Sequence, residues 1–181
     1  NADFKTAKNA KDSAKLKTRL KLLTDRMQGY RDSMIAKNPT SFLTTLFQAM
    51  KEPVIPPAAK HPGGKYDSMY AYRYYKSHYW DGVDFKDERI IRNQFFDTRL
   101  KKYFDAVVNQ LGPDTVAKEV IKLLDQFVPG SEAFNFVFVH FMVEYENPKL
   151  VGFDKVFVEM VEQYIKTGKH GKIYDEATVK K

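Results

Sequence analysis

Four histidines, His61, His78, His140 and His170, come first, because imidazole titrates near neutral pH and binds metals. No two stand at i+3 or i+4, so no helix carries a two-histidine metal site. His140 lies in an apolar run and reads as a satisfied core histidine. The acids Asp81, Asp84, Asp87 and Glu88 crowd together as a metal cluster would. A calcium loop needs acids at alternate positions around a central Gly, and this spacing does not match. Helix capping and ion pairs, Glu88 to Arg92 among them, are the better account. Gly63-Gly64-Lys65 lacks the first Gly of a phosphate loop, and Tyr66 stands where Ser or Thr is required. There is no Gly-x-Ser-x-Gly elbow. There is no Cys, hence no disulfide, thiol chemistry or Cys-ligated metal within these residues. Any two acids could meet in space for glycoside hydrolysis, and nothing singles out a pair. The residues therefore nominate no catalytic, cofactor-binding or metal-binding position.

The densest chemistry is aromatic. Tyr70, Tyr72, Tyr74, Tyr75, Tyr79 and Trp80, the one Trp, fall within a single short stretch. Arg73, Lys76 and His78 interleave with them. Rings beside cations can stack on bases or sugars. These tyrosines point all round a helix, however, and form no single platform. The reading preferred here is a helix wrapped by protein, with hydroxyls reaching polar partners. The block Tyr79, Trp80, Asp81, Asp84, Phe85, Asp87, Glu88 and Arg89 then reads as a buried joint between two helical halves. Trp80 and Phe85 would be mostly buried, and Asp84 would cap a short helix carrying Ile90 and Ile91.

The elements around this joint are helical. Leu16, Leu20, Leu23, Met27, Tyr30 and Met34 are spaced 4, 3, 4, 3, 4, a heptad seam on a long amphipathic helix from about residue 10 to 37. The seam is too short for a free coiled coil, so packing against other protein is its expected use. Asn38-Pro39 ends it and starts the next helix, with Asn38 as cap. Pro53, Pro56, Pro57 and Pro62 with Gly63-Gly64 make an irregular connection. Asp67 or Ser68 caps the aromatic helix. Phe96, Leu100, Tyr103, Phe104 and Val107 stripe another, and Gly112-Pro113-Asp114 stops it and starts the next. Residues 134–143 are β-like in composition, but the spacing of Phe134, Phe138, Phe141, Met142 and Tyr145 predicts a buried helix. Gly168 stops the last helix. The expected fold is all-α, an orthogonal bundle-like domain of six to eight helices. Residues 1–37 form a basic helix or connector, 38–168 the helical domain, and 169–181 a linker.

The 181 residues are 43% hydrophobic and 14% aromatic, enough for a core. The net charge is +7, and residues 1–37, with ten Lys/Arg and four Asp, carry +6 of it. The body is close to neutral. A solvated helix face explains this, with nucleic acid or an anionic surface as the sharper alternatives. No apolar run approaches the ~20 residues of a membrane span. The start Asn1-Ala2-Asp3, without Met, reads as an excised piece of a longer protein.

Several segments together carry a resemblance. They are Asn38-Pro39, Ser41-Phe42-Leu43, Lys51-Glu52-Pro53, the block from His78 to Arg89, Leu100, Tyr103-Phe104, and Gly152 to Val158 with Tyr164. The chain resembles, from about residue 15 to 170, a helical domain of unknown function in Bacteroidetes cell-envelope proteins. That domain usually precedes a thioredoxin/peroxiredoxin-like domain. Asn93-Gln94 and Phe153-Asp154-Lys155 depart from its pattern. The resemblance implies a periplasmic or cell-envelope location and a downstream thioredoxin-like domain in cis. It implies no catalytic residues. The expected function is a non-enzymatic accessory or interaction domain with protein or peptide ligands, and neither nucleic-acid binding nor a membrane span in this segment. A basic helical nucleic-acid-binding module, or an enzyme with an unrecognised acid–base site, are the alternatives.

Overall fold

The computed structural model describes residues 10–169; the expected linker at 169–181 falls almost wholly outside them. Among the described residues there are seven α-helices and no strand, so the fold is all-α as the periodicities require. They are α1 (Ala10–Lys37), α2 (Phe42–Met50), α3 (Ser68–Ser77), α4 (Gln94–Lys102), α5 (Pro113–Leu124), α6 (Glu132–Glu146) and α7 (Asp154–Met160). Two helices end in a π-helical turn, α4 at Tyr103–Val108 and α7 at Val161–Ile165. No described helix is long and apolar enough to cross a membrane.

The chain forms two compact units, residues 1–47 and 48–181.

In the first unit, α1 runs without interruption to Lys37. The turn after it is built on Asn38. Its carbonyl accepts the Ser41 N–H at 3.1 Å and the Thr44 hydroxyl at 2.5 Å. Ser41 Oγ, and not Asn38 as expected, accepts the N–H of Thr44 at 3.2 Å and caps α2. Pro39 lies before the helix and not in its first turn.

In the second unit, α7 packs against α5 and α6, and the short 3-10 turn Glu88–Arg92 packs against α6. Phe96, Leu100, Val116, Val120, Leu124, Phe134, Phe138, Val156 and Met160 are fully enclosed. Residues 134–145 are helical despite their branched and aromatic composition. One face (Phe134, Val137, Phe138, Phe141, Met142, Tyr145) is buried, and burial overrides local preference. Three of these helices, α3, α4 and α6, start at a side-chain cap. Asp67 accepts the N–H groups of Met69 and Tyr70, Asn93 that of Phe96, and Ser131 that of Phe134. Gly112 precedes Pro113 at φ +84°, a conformation open to Gly, so α5 begins without a side-chain cap. Asp114 instead ion-pairs with Lys155.

The proline-rich connection has a fastening that composition does not reveal. His61 is buried. Asp67 N–H donates to its Nδ1 at 3.0 Å, which places the proton on Nε2; Nε2–H then donates to the Pro56 carbonyl, 2.9 Å away. One imidazole thus closes the loop from Pro56 to the start of α3.

Candidate functional site

The aromatic block sits where the end of α3 meets α4. Tyr79 is completely buried, Phe85 nearly so, and Trp80 half-buried against the core. The Trp80 ring meets Tyr79 at 5.0 Å, Tyr103 at 5.3 Å and Phe85 at 5.6 Å between centroids, all edge-to-face. Phe85 in turn meets Phe127. Such pairs favour edge-to-face geometry because ring edges are positive and faces negative.

Beneath these rings lies a residue the sequence did not single out. Arg99 is buried, with its guanidinium carbon 5.1 Å from the Tyr79 ring centre and 5.4 Å from that of Trp80. It donates to the carbonyls of Gln48 at 2.8 Å and Ala49 at 3.1 Å, and to that of Tyr79. The Tyr79 hydroxyl returns a bond to the Arg99 carbonyl at 3.0 Å. Burial lowers the Arg99 pKa, while Tyr79 and Glu52 act to hold the charge. The planar fork meets three carbonyls that converge from two stretches of chain, which no other side chain does as well. Its position was the available signal. Arg99 is three residues after Phe96 and four before Tyr103, on the apolar stripe of α4.

The acids of the block do not converge on one point. Asp84 accepts the N–H of Lys86 in a local turn. The cap of the 3-10 turn carrying Ile90 and Ile91 is Asp87, which accepts the Arg89 N–H at 3.0 Å and pairs with the Arg89 guanidinium at 2.6 Å. The cap is therefore one turn later than the spacing suggests. Glu88 accepts the N–H of Glu132 at 3.2 Å, and Arg92 pairs with the Glu132 carboxylate at 3.1 Å. The anticipated Glu88–Arg92 pair gives way to two bonds that tie this turn to the start of α6. Asp81 is exposed. Among the described residues, no three or more His, Asp and Glu side chains are grouped to hold a metal ion.

Two other polar sites lie nearby. Glu119 accepts from Lys76 at 2.7 Å and from the Tyr103 hydroxyl at 2.8 Å. Burial acts to raise its pKa, but these two bonds hold it below the usual carboxylate range. Tyr103 shifts upward through burial and then through Glu119. Glu52 accepts from Lys102 at 2.6 Å and from the Tyr75 hydroxyl at 3.2 Å. It lines a cleft of about 380 Å³ with Lys51, Tyr74, His78 and Asp81. One wall is the Tyr74–His78 stack, 4.0 Å between ring centres. Tyr72 and Tyr75 pack against the core, and the Tyr72 hydroxyl donates to the Val107 carbonyl at 2.7 Å. The arrangement offers a surface cleft of mixed lining, with Pro53 and Val54 beside Glu52 and His78, next to the aromatic joint. At the end of α3 the Ser77 hydroxyl lies 2.9 Å from His78 Nδ1, and both side chains also meet the Tyr74 carbonyl, at 3.1 and 2.9 Å.

The first unit offers a different surface. Leu20, Leu23, Met27 and Tyr30, the middle of the heptad seam, are between 48% and 62% exposed. Leu23, Met27, Tyr30 and Phe47 line an apolar notch of about 500 Å³, edged by Arg26 and Arg31.

No curated protein and no solved structure matches the chain. The sequence model of the family described as Domain of unknown function (DUF5106) matches residues 9–176, nearly the whole length, and the chain belongs to that family.

Proposed function

We propose that this chain is a non-enzymatic helical accessory domain of an exported cell-envelope protein, and that it works by holding a protein or peptide partner. The parent protein would carry its thiol–disulfide chemistry on a downstream thioredoxin-like domain. The observation that carries the interaction role is the uncovered seam of α1. A contiguous apolar row in water is the usual mark of a binding surface. The signature block supports the same reading, because Tyr79, Trp80, Phe85 and Asp87 are engaged in packing and capping. The cis partner rests on the resemblance described above. The division of labour is physical. Disulfide exchange needs a Cys of lowered pKa at a helix start, and a Cys-free segment cannot supply one. It can supply a rigid surface that restricts access to a neighbouring site or recruits its substrate.

The test compares the full-length parent with a version lacking residues 1–181. The expected result is unchanged thiol chemistry on a small disulfide, with altered choice of protein substrate, stability or assembly. The segment alone should show neither disulfide reductase nor peroxidase activity. Identical specificity, stability and assembly without the segment would defeat the accessory role. A parent gene without a thioredoxin-like domain would defeat the context.

A further inference from the structure

We infer that the seam of α1 is the docking face for an amphipathic partner helix whose flanks are acidic. This deepens the interaction-domain reading and rests on it. In heptad terms Leu16, Leu23 and Tyr30 occupy d, and Leu20, Met27 and Met34 occupy a. The e and g positions beside that seam are Lys17, Arg19, Thr24, Arg26, Arg31 and Ser33. Every charged residue among them is a cation. The acids nearest in sequence, Asp25 and Asp32, stand at f, away from the seam. None of the ion pairs between described residues involves Lys17, Arg19, Arg26 or Arg31.

This pattern discriminates between occupants. In coiled coils the e and g residues choose the partner through interhelical charge pairs. Two copies of this helix side by side would set Arg26 against Arg31 in a parallel pair. An antiparallel pair would also meet cation on cation. A second copy is therefore disfavoured. A membrane surface wants a broad apolar face; in the middle of α1 the row at a and d is joined only by Leu22, at c behind the Arg19 and Arg26 flank, so the apolar face stays close to the narrower coiled-coil seam. An α-helix with apolar a and d positions and Glu or Asp at e and g meets both requirements. The notch fixes the register. An apolar side chain of the partner enters between Leu23, Met27, Tyr30 and Phe47, while carboxylates on its two flanks reach Arg26 and Arg31. From Leu16 to Met34 the seam spans about 27 Å, short enough that charge pairing decides between partners.

The test uses the whole chain and two synthetic helical peptides. Both have Leu at a and d; one has Glu at e and g, the other Lys. Calorimetry should show the Glu peptide binding and the Lys peptide binding at least about tenfold more weakly, the size of two exposed pairs turned from attraction to repulsion. The exposed double substitution Arg26→Glu with Arg31→Glu should reverse the preference, with helix content unchanged by circular dichroism. Leu23→Gln with Met27→Gln should abolish binding of both. Equal binding of the two peptides, no binding, or indifference to the charge reversal would overturn the inference. So would a dimer in sedimentation that the Leu23→Gln, Met27→Gln variant dissolves, or tight binding to anionic phospholipid vesicles in place of the peptide. The two readings fail separately. A peptide that binds while deletion in the parent changes nothing removes the accessory role and leaves the docking face. A deletion that matters while no peptide binds removes the docking face alone.

Discussion

At the residue scale the joint depends on Arg99 more than on the Trp that marks it in the sequence. A guanidinium buried without a carboxylate in contact persists because three carbonyls accept its protons and two rings flank it. Lysine has the charge but not the fork, so Arg99→Lys leaves at least one buried carbonyl unpaired. The expected loss is about 2 kcal/mol. Tyr79→Phe should lose about 1 kcal/mol by removing one neutral hydrogen bond. Denaturant melts of the two variants check this. An Arg99→Lys melt that matched the parent would show that Arg99 does not hold the joint. The sequence told part of this story. Trp80 and Phe85 are large apolar rings between the end of α3 and the turn at Glu88–Arg92, so their packing was legible. Arg99 was not, because an isolated cation on an apolar stripe looks like a boundary residue until the carbonyls it meets, from residues 48, 49 and 79, are brought together by folding.

At the element scale, what was readable was period, and what was not was the last residue of each signal. Seven helices follow from 3.6-residue spacing, including α6, where buried rings at 134, 138, 141 and 145 overrule β-like composition. Caps are harder, because Ser, Asp and Asn occur in clusters and one hydrogen bond decides between neighbours. Asp84 and Asp87 are such a pair. Both could start the turn, and the chain uses Asp87, whose carboxylate also holds Arg89. Asp87→Ala should therefore destabilise the second unit by about 1 kcal/mol, the ordinary loss of a cap, and Asp84→Ala by a few tenths. Equal effects in thermal melts would return the cap to Asp84. The heptad seam of α1 was equally plain in the sequence. Its exposure was not, since period shows that a face wants covering and does not show what covers it.

At the scale of the whole molecule, charge is segregated: ten of thirty cations fall in the first 37 residues, and the remaining chain is near neutral. This distribution invites a nucleic-acid reading, and the geometry of α1 argues against it. A phosphate backbone neutralises cations spread along a face, and its affinity comes from displaced counterions. On α1 four of the cations edge an apolar row, where base or phosphate contacts would leave Leu20, Leu23 and Met27 in water. A carboxylate-flanked helix satisfies both features together, through a contact that is partly apolar. The two kinds of partner respond to salt differently. Phosphate binding falls steeply as salt rises, with log K dropping by about 0.9 per phosphate engaged for each tenfold increase. Apolar burial does not weaken in that way, and only the flanking charge pairs are screened. The expectation is that duplex DNA or RNA associates weakly at low salt and dissociates before about 0.2 M. The Glu-flanked peptide should retain measurable affinity there. Fluorescence anisotropy of labelled duplex and labelled peptide across one salt series decides it. Nucleic acid that stays tightly bound near 0.2 M salt, and that Arg26→Glu with Arg31→Glu releases, would make these cations a phosphate-binding face.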